Sequence, residues 1–236
     1  MKTLRNYLVV VLTATCLFST SAFAQEETEK ESPFSVGADI YSNYVWRGTK
    51  FGTGPAFQPS VSFATGGLTI GAWGSYDAAG YAEADLYLSY GFDFGLSLGV
   101  TDYYYPGSDY TDFSDTAGTH AFEINAAYAI SALSISANYI LNEAPVAASM
   151  GGDMYFELAY DFANFSIFAG AGNGWYTLED PKDDGTPGDD EFGLVNLGLS
   201  TSKEVKITDS FSLPVNGSVI WNPHAKQFTM VVGLSF

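Results

Sequence analysis

Two histidines, one arginine beyond residue 24 and a scattering of carboxylates are the side chains with chemistry to offer. A hydrolase of the common kind needs a Ser or Asp with a His in hydrogen-bond reach. His120 is followed by Ala121, Phe122 and Glu123, with no serine two positions on, and His224 lies in the short stretch Asn222–Lys226. Neither spacing assembles a nucleophile and base, so no enzyme is expected. There is no His/Cys cluster at metal-ligand spacing and no phosphate-cradling glycine pattern, and hence no expected cofactor. The segment Glu179–Glu191 holds seven acids and one lysine. Its Asp183, Asp184, Asp189 and Asp190 bracket glycines loosely in the manner of calcium loops, but the full ligand spacing is absent. A solvated acidic loop is the commoner form of such a run; weak divalent bridging to lipopolysaccharide is an intermediate case.

The other carboxylates acquire meaning only from the elements that carry them. From about residue 34 the chain reads as short stretches in which apolar and small or polar residues alternate, the period of a β-strand. In Leu133–Leu141, for example, Leu133, Ile135, Ala137, Tyr139 and Leu141 point one way and Ser134, Ser136, Asn138 and Ile140 the other. Twelve such segments fall at 34–47, 56–63, 68–75, 83–92, 94–105, 120–129, 133–141, 153–162, 165–176, 191–203, 211–221 and 227–236. Their connections alternate tight and long over most of the chain, the longest being Pro106–Thr119 and Thr177–Asp190. A β-sandwich has no reason to alternate so, whereas an up-and-down transmembrane barrel does, with short turns on one side and long loops on the other. The expectation is an all-β, closed antiparallel barrel of about 12 strands.

Aromatic residues segregate along these segments. Phe34, Phe92, Phe162, Phe211 and Phe236 fall at the tight-turn ends, and Trp46, Trp175 and Trp221 near the long-loop ends, as interfacial girdles would. With the apolar parity outward, the inward parity collects Asp39, Tyr41, Asn43, Arg47, Glu83, Asp85, Glu123 and Glu157 as pore-lining residues. Arg47, the one arginine left once residues 1–24 are removed, falls near the long-loop mouth, ~27 Å from Asp39 along one strand at ~3.3 Å per residue. It either forms a fixed ion pair, the commoner fate of a guanidinium beside acidic walls, or acts as a constriction charge.

Residues 1–24 read as a signal peptide, with Lys2 and Arg5, an apolar stretch around Tyr7–Phe18 and small residues before a cleavage near Ala24. Residues 25–33 then form a short acidic lead-in and 34–236 the barrel. Without Lys2 and Arg5 the basic count falls to 9 − 2 = 7 against 27 acids, a net charge of −20, which excludes nucleic acid as a partner. Disorder is excluded by 16% aromatic content. Cys16 lies in the leader, so no disulfide framework is expected. The chain ends on a strand, Gln227–Phe236, as suits a barrel whose last strand pairs with its first.

The stretch Asp39–Gly48, DIYSNYVWRG, together with the barrel pattern resembles the TorF-like porins, a family of conserved hypothetical outer-membrane proteins whose first strand ends in a Tyr-Ser-x-Tyr-Val-Trp-Arg-Gly run. The resemblance implies a Gram-negative outer-membrane barrel with no catalytic residues. It also implies that a terminal Phe236 is read by the outer-membrane assembly machinery, and that lipid and lipopolysaccharide surround the barrel. The expected function is passive diffusion of small polar solutes or cations. The rival is a non-conducting barrel whose acidic, Tyr-rich loops bind a surface partner or lipopolysaccharide. The bulk of Tyr41, Trp73, Tyr87, Tyr155 and Phe168 at lumen parity favours this rival.

Overall fold

The computed structural model describes residues 32–177 and 191–236. The leader, most of the acidic lead-in and the loop acids Asp183, Asp184, Asp189 and Asp190 lie outside the described residues.

Twelve strands close into one antiparallel barrel. They are β1 (Phe34–Tyr41), β2 (Ala56–Thr65), β3 (Leu68–Asp77), β4 (Ala82–Gly91), β5 (Leu96–Tyr104) and β6 (His120–Ile130). The second half comprises β7 (Leu133–Ile140), β8 (Met154–Asp161), β9 (Ser166–Gly172), β10 (Gly193–Lys206), β11 (Ser212–Asn222) and β12 (Gln227–Ser235). Each strand pairs with its chain neighbour, and β12 returns to β1, so the topology is up-and-down.

The alternation explains the two faces. Leu86, Leu88, Val100, Ile124, Leu158 and Ile167 all point outward and are exposed, while their neighbours Glu83, Asp85, Glu123, Asn125, Asn138 and Glu157 point inward and are buried. An outer apolar surface of this extent is a band that water cannot cover favourably and hydrocarbon can. Closure pairs the two terminal strands with each other and leaves no fully open edge, which an open sheet in lipid would have.

The seam between β1 and β12 is short. Its register covers only Asp39↔Ser235, Ile40↔Leu234 and Tyr41↔Gly233, flanked by backbone bonds joining Ala38 to Phe236 and Ser42 to Val232. By contrast β1 and β2 pair along eight positions, from Phe34↔Phe63 to Tyr41↔Ala56.

The first strand therefore departs from expectation. A continuous strand over 34–47 is replaced by β1 ending at Tyr41, a bend at Ser42–Asn43 and a separate small hairpin, Tyr44–Trp46 paired with Thr49–Phe51. Its turn is Arg47–Gly48, both at positive φ (49° and 87°), the conformation that lets a two-residue turn follow strand twist. The ninth segment is also cut short: β9 stops at Gly172, and Gly174–Tyr176 form a 3-10 turn that leaves the wall.

Candidate functional site

The hairpin fills the lumen rather than extending the wall. The bend is held by Ser42, whose N–H donates to Val232 O at 2.8 Å, and by Asn43, whose side-chain amide donates to Met230 O at 3.4 Å. From there the two short strands cross the barrel. One face carries Tyr44, Trp46 and Phe51. Tyr44 packs on Trp73 at 5.4 Å between ring centroids, and Trp46 meets Tyr103 at 5.5 Å and both Trp175 and Tyr176 at 5.3 Å. The opposite face carries Val45, which joins Tyr41, Ile220 and Val231 in a smaller apolar cluster flanked by Phe168.

The turn of the hairpin rests on β10 and β11. Gly48 O accepts from the Asn222 amide at 3.4 Å, and a Cβ at Gly48 would lie 1.9 Å from Val195 O, so only glycine fits there. Val195 itself is the extra residue of a bulge, since Gly170 pairs with Asn196 and Ala171 with Leu194.

Arg47 is the centre of the site. Its two terminal nitrogens donate to Glu123 on β6 at 2.5 and 2.8 Å, a bidentate pair, and one also reaches the Tyr176 hydroxyl. Its guanidinium lies 4.6 Å over Trp46 and 4.7 Å over Tyr155. Arg47 is 3% exposed and Glu123 0%. A buried pair is stable only where further hydrogen bonds satisfy it. Here Tyr103 O–H donates to Glu123 at 2.9 Å, and Asn125 donates to the same carboxylate and to Asn138. The network continues along the wall: Tyr155 O–H donates to Glu157, and Asn196 donates to both at 2.9 Å.

Several expected residues sit as parity dictates: Asp39, Tyr41, Glu83, Asp85, Glu123 and Glu157 face the interior. Others do not. Arg47 leaves the wall and lies inside the barrel instead of on a strand at the mouth, because the chain bends at Ser42–Asn43. Asn43 occupies that bend. Trp46 and Trp175, expected in the outer girdle, pack against each other within the lumen. Phe34, Phe162, Phe211 and Phe236 at the tight-turn end and Trp221 at the other are exposed on the outer surface; Phe92 lies beside Phe94 at a turn, 5.4 Å between rings.

Nothing local in the sequence marks Tyr176 as a partner of Arg47 or Tyr103 as a donor to Glu123. Lumen aromatics also pack onto glycines of the next strand, as Tyr41 lies on Gly233 and Tyr155 on Gly170, pairings that no local pattern marks. The histidines take structural positions. His120 is stacked between Tyr104 and Phe113, with Nδ1 2.8 Å from Asp102 and Nε2 2.8 Å from Tyr110 O, and His224 bonds Thr177 O.

A family model described as a bacterial protein of unknown function (Gcw_chp) matches residues 27–203. The chain belongs to that family. The matched region of this Gcw_chp member includes the hairpin, Glu123, Tyr155, Tyr176 and Glu157, so the network around Arg47 lies within it. Among solved structures, an engineered mutant of the Rhodopseudomonas blastica porin is 15% identical over 77% of this chain and 55% of that one, with a TM-score of 0.39. A second mutant of the same porin is 13% identical over 87% and 73%, with a TM-score of 0.40. The Gcw_chp chain thus spans about half the length of the first porin chain. No curated protein matches it.

Proposed function

We propose that this chain is an outer-membrane channel of the porin type, held shut in the state described by its own inner hairpin. One observation carries the reading: the bidentate Arg47–Glu123 pair ties the hairpin tip to the far wall across the lumen. When the hairpin shifts, the carboxylates of the wall line a path for small polar solutes and favour cations over anions. The outward apolar band, the even number of strands and the exposed phenylalanines at the tight-turn end support a location in the outer membrane, reached after leader cleavage near Ala24. The resemblance of Asp39–Gly48 to TorF-like porins supports the same assignment, with Phe236 as the residue the assembly machinery reads and lipopolysaccharide around the long loops.

The test is conductance in planar bilayers across a potassium chloride gradient. Wild-type protein should stay closed or open rarely. Arg47→Ala should give stepwise openings with a reversal potential of cation-selective sign; an anion-selective sign would sink the carboxylate path. A second reading is favoured by the aromatic packing on one face of the hairpin and the apolar cluster on the other, which leave the plug without a wet surface to slide on. In it the barrel does not conduct, and the acidic loops bind a surface partner. Silence of both proteins, each shown to be inserted, would select it.

A further inference from the structure

The outer face of the barrel is not evenly covered. Between β2 and β5, in the half nearer the long loops, the outward positions shrink to Pro59, Ala72, Gly74 and Ala84, and a groove of about 440 Å³ opens over them. Val61 and Leu86 bound it toward the middle of the wall, and Tyr76, Tyr104 and Tyr110 at the upper end. Two local features make it deep. The first is a proline where the β2–β3 ladder needs a donor. Ala38 exchanges both backbone hydrogen bonds with Phe236, so Pro59, its partner across β1 and β2, turns its own backbone toward β3. Pro59 has no N–H to give, and the pairing lapses at Gln58–Pro59 against Gly74–Ser75, to resume in the same register at Ser60↔Trp73. The second is Gly74 itself, where a Cβ would meet Glu83 O and the Tyr76 ring, each at 2.9 Å. Tyr76 therefore lies down across the gap instead of standing out from the wall.

What fills the groove follows from where it lies. It is continuous with the outward apolar band, and among the described residues no Lys or Arg lines it to grip a headgroup. Hydrocarbon is the chemistry it fits. Its upper stop is built by the segment after β5, whose Tyr110 packs on Tyr104 at 5.0 Å and on His120 at 4.9 Å between ring centroids. Tyrosines prefer the height of the headgroups, which sets the groove below them in the leaflet on the long-loop side. We propose that this groove seats one acyl chain of a lipopolysaccharide molecule, held against β2–β4 beneath Tyr110. The site rests on the outer-membrane location proposed above and not on whether the lumen conducts.

The full chain, produced in a Gram-negative host and extracted from outer membranes in mild detergent, is weighed by native mass spectrometry. The expected species is one barrel carrying one lipopolysaccharide that survives exchange into fresh detergent. Ala84→Phe, which places a ring in the groove from β4, should lower that occupancy about tenfold or more, as overpacking of a fitted site does. Ala137→Phe makes the same change on the outer face of β7, outside the groove, and should keep the lipid. Retained phospholipid in place of lipopolysaccharide, a lipid-free dimer with the groove covered by a second copy, equal occupancy in Ala84→Phe and wild type, or equal loss in Ala137→Phe would each overturn the proposal. A chain absent from the outer-membrane fraction overturns the location and the site together; a chain present there without retained lipid overturns the site alone. Heat-modifiable gel migration verifies that each variant is folded. Ala72→Phe, which fills the groove from β3, decides if Ala84→Phe does not fold.

Discussion

Arg47 has a carboxylate in front, a hydroxyl beside and aromatic faces above and below. Such a guanidinium is stable in place and costly to strand. Glu123→Gln keeps the shape but removes the charge opposite it, and should lower barrel stability by about 3–5 kcal/mol, read from urea refolding curves in micelles. Arg47→Lys should recover little, since an ammonium cannot make the two-pronged contact or stack as a plane. His120 provides a second test at this scale. It fastens the outer loop through Tyr110 O and the wall through Asp102. In His120→Ala the segment Pro106–Thr119 should become the first site of limited proteolysis, where wild type resists; equal cleavage rates would show that the ring contacts hold nothing. The inward parity of Glu83, Asp85, Glu123 and Glu157 was readable because period two leaves a strand residue only two faces. The identity of their partners was not, because Tyr155 and Tyr176 meet Arg47, and Tyr103 meets Glu123, across distances in sequence that no local pattern records.

At the level of elements the strands were legible and the hairpin was not. Tyr44 and Trp46 keep the same alternation as Val36, Ala38 and Ile40, so a pattern of apolar residues runs unbroken through a bend that reverses what those residues face. The local chemistry did carry a signal: Ser42–Asn43 is a turn-forming pair, and Arg47–Gly48 ends in the residue a tight turn requires. What a single sequence lacks is the information that the lumen is wide enough to receive two strands. Replacing Tyr44–Phe51 with a short Gly/Ser linker tests this division of labour. The eight β1–β2 pairs remain, so the barrel should still fold and migrate as a compact species, but with a steady conductance. A linker variant that fails to close would mean the hairpin is needed to build the wall.

For the whole molecule, the controlling quantity is which solvent covers each surface. The outward side chains suit hydrocarbon, so a charge placed there should be penalised by depth. Leu158→Lys, near the middle of β8, should cost about 2–4 kcal/mol in lipid vesicles, and a lysine at the rim far less. Equal costs at both heights would contradict a membrane band. Fold class and strand number were legible at this scale because lipid imposes alternation, even strand count and closure together. The filled lumen was only hinted at, by the bulk of Tyr41, Trp73, Tyr87, Tyr155 and Phe168.

The crossbar has one more consequence, which concerns counting. Its root lies between β1 and β2, and its tip needs Glu123 on β6, Val195 on β10 and Asn222 on β11 at fixed places. These sockets come together only when the sheet has curled to one circumference and one stagger. A barrel that closed with a hairpin too few or too many, or that borrowed strands from another copy, would leave Arg47 buried without its carboxylate. The inner hairpin thus fits a single barrel circumference, the one at which its three sockets and the short β1–β12 seam are all in place.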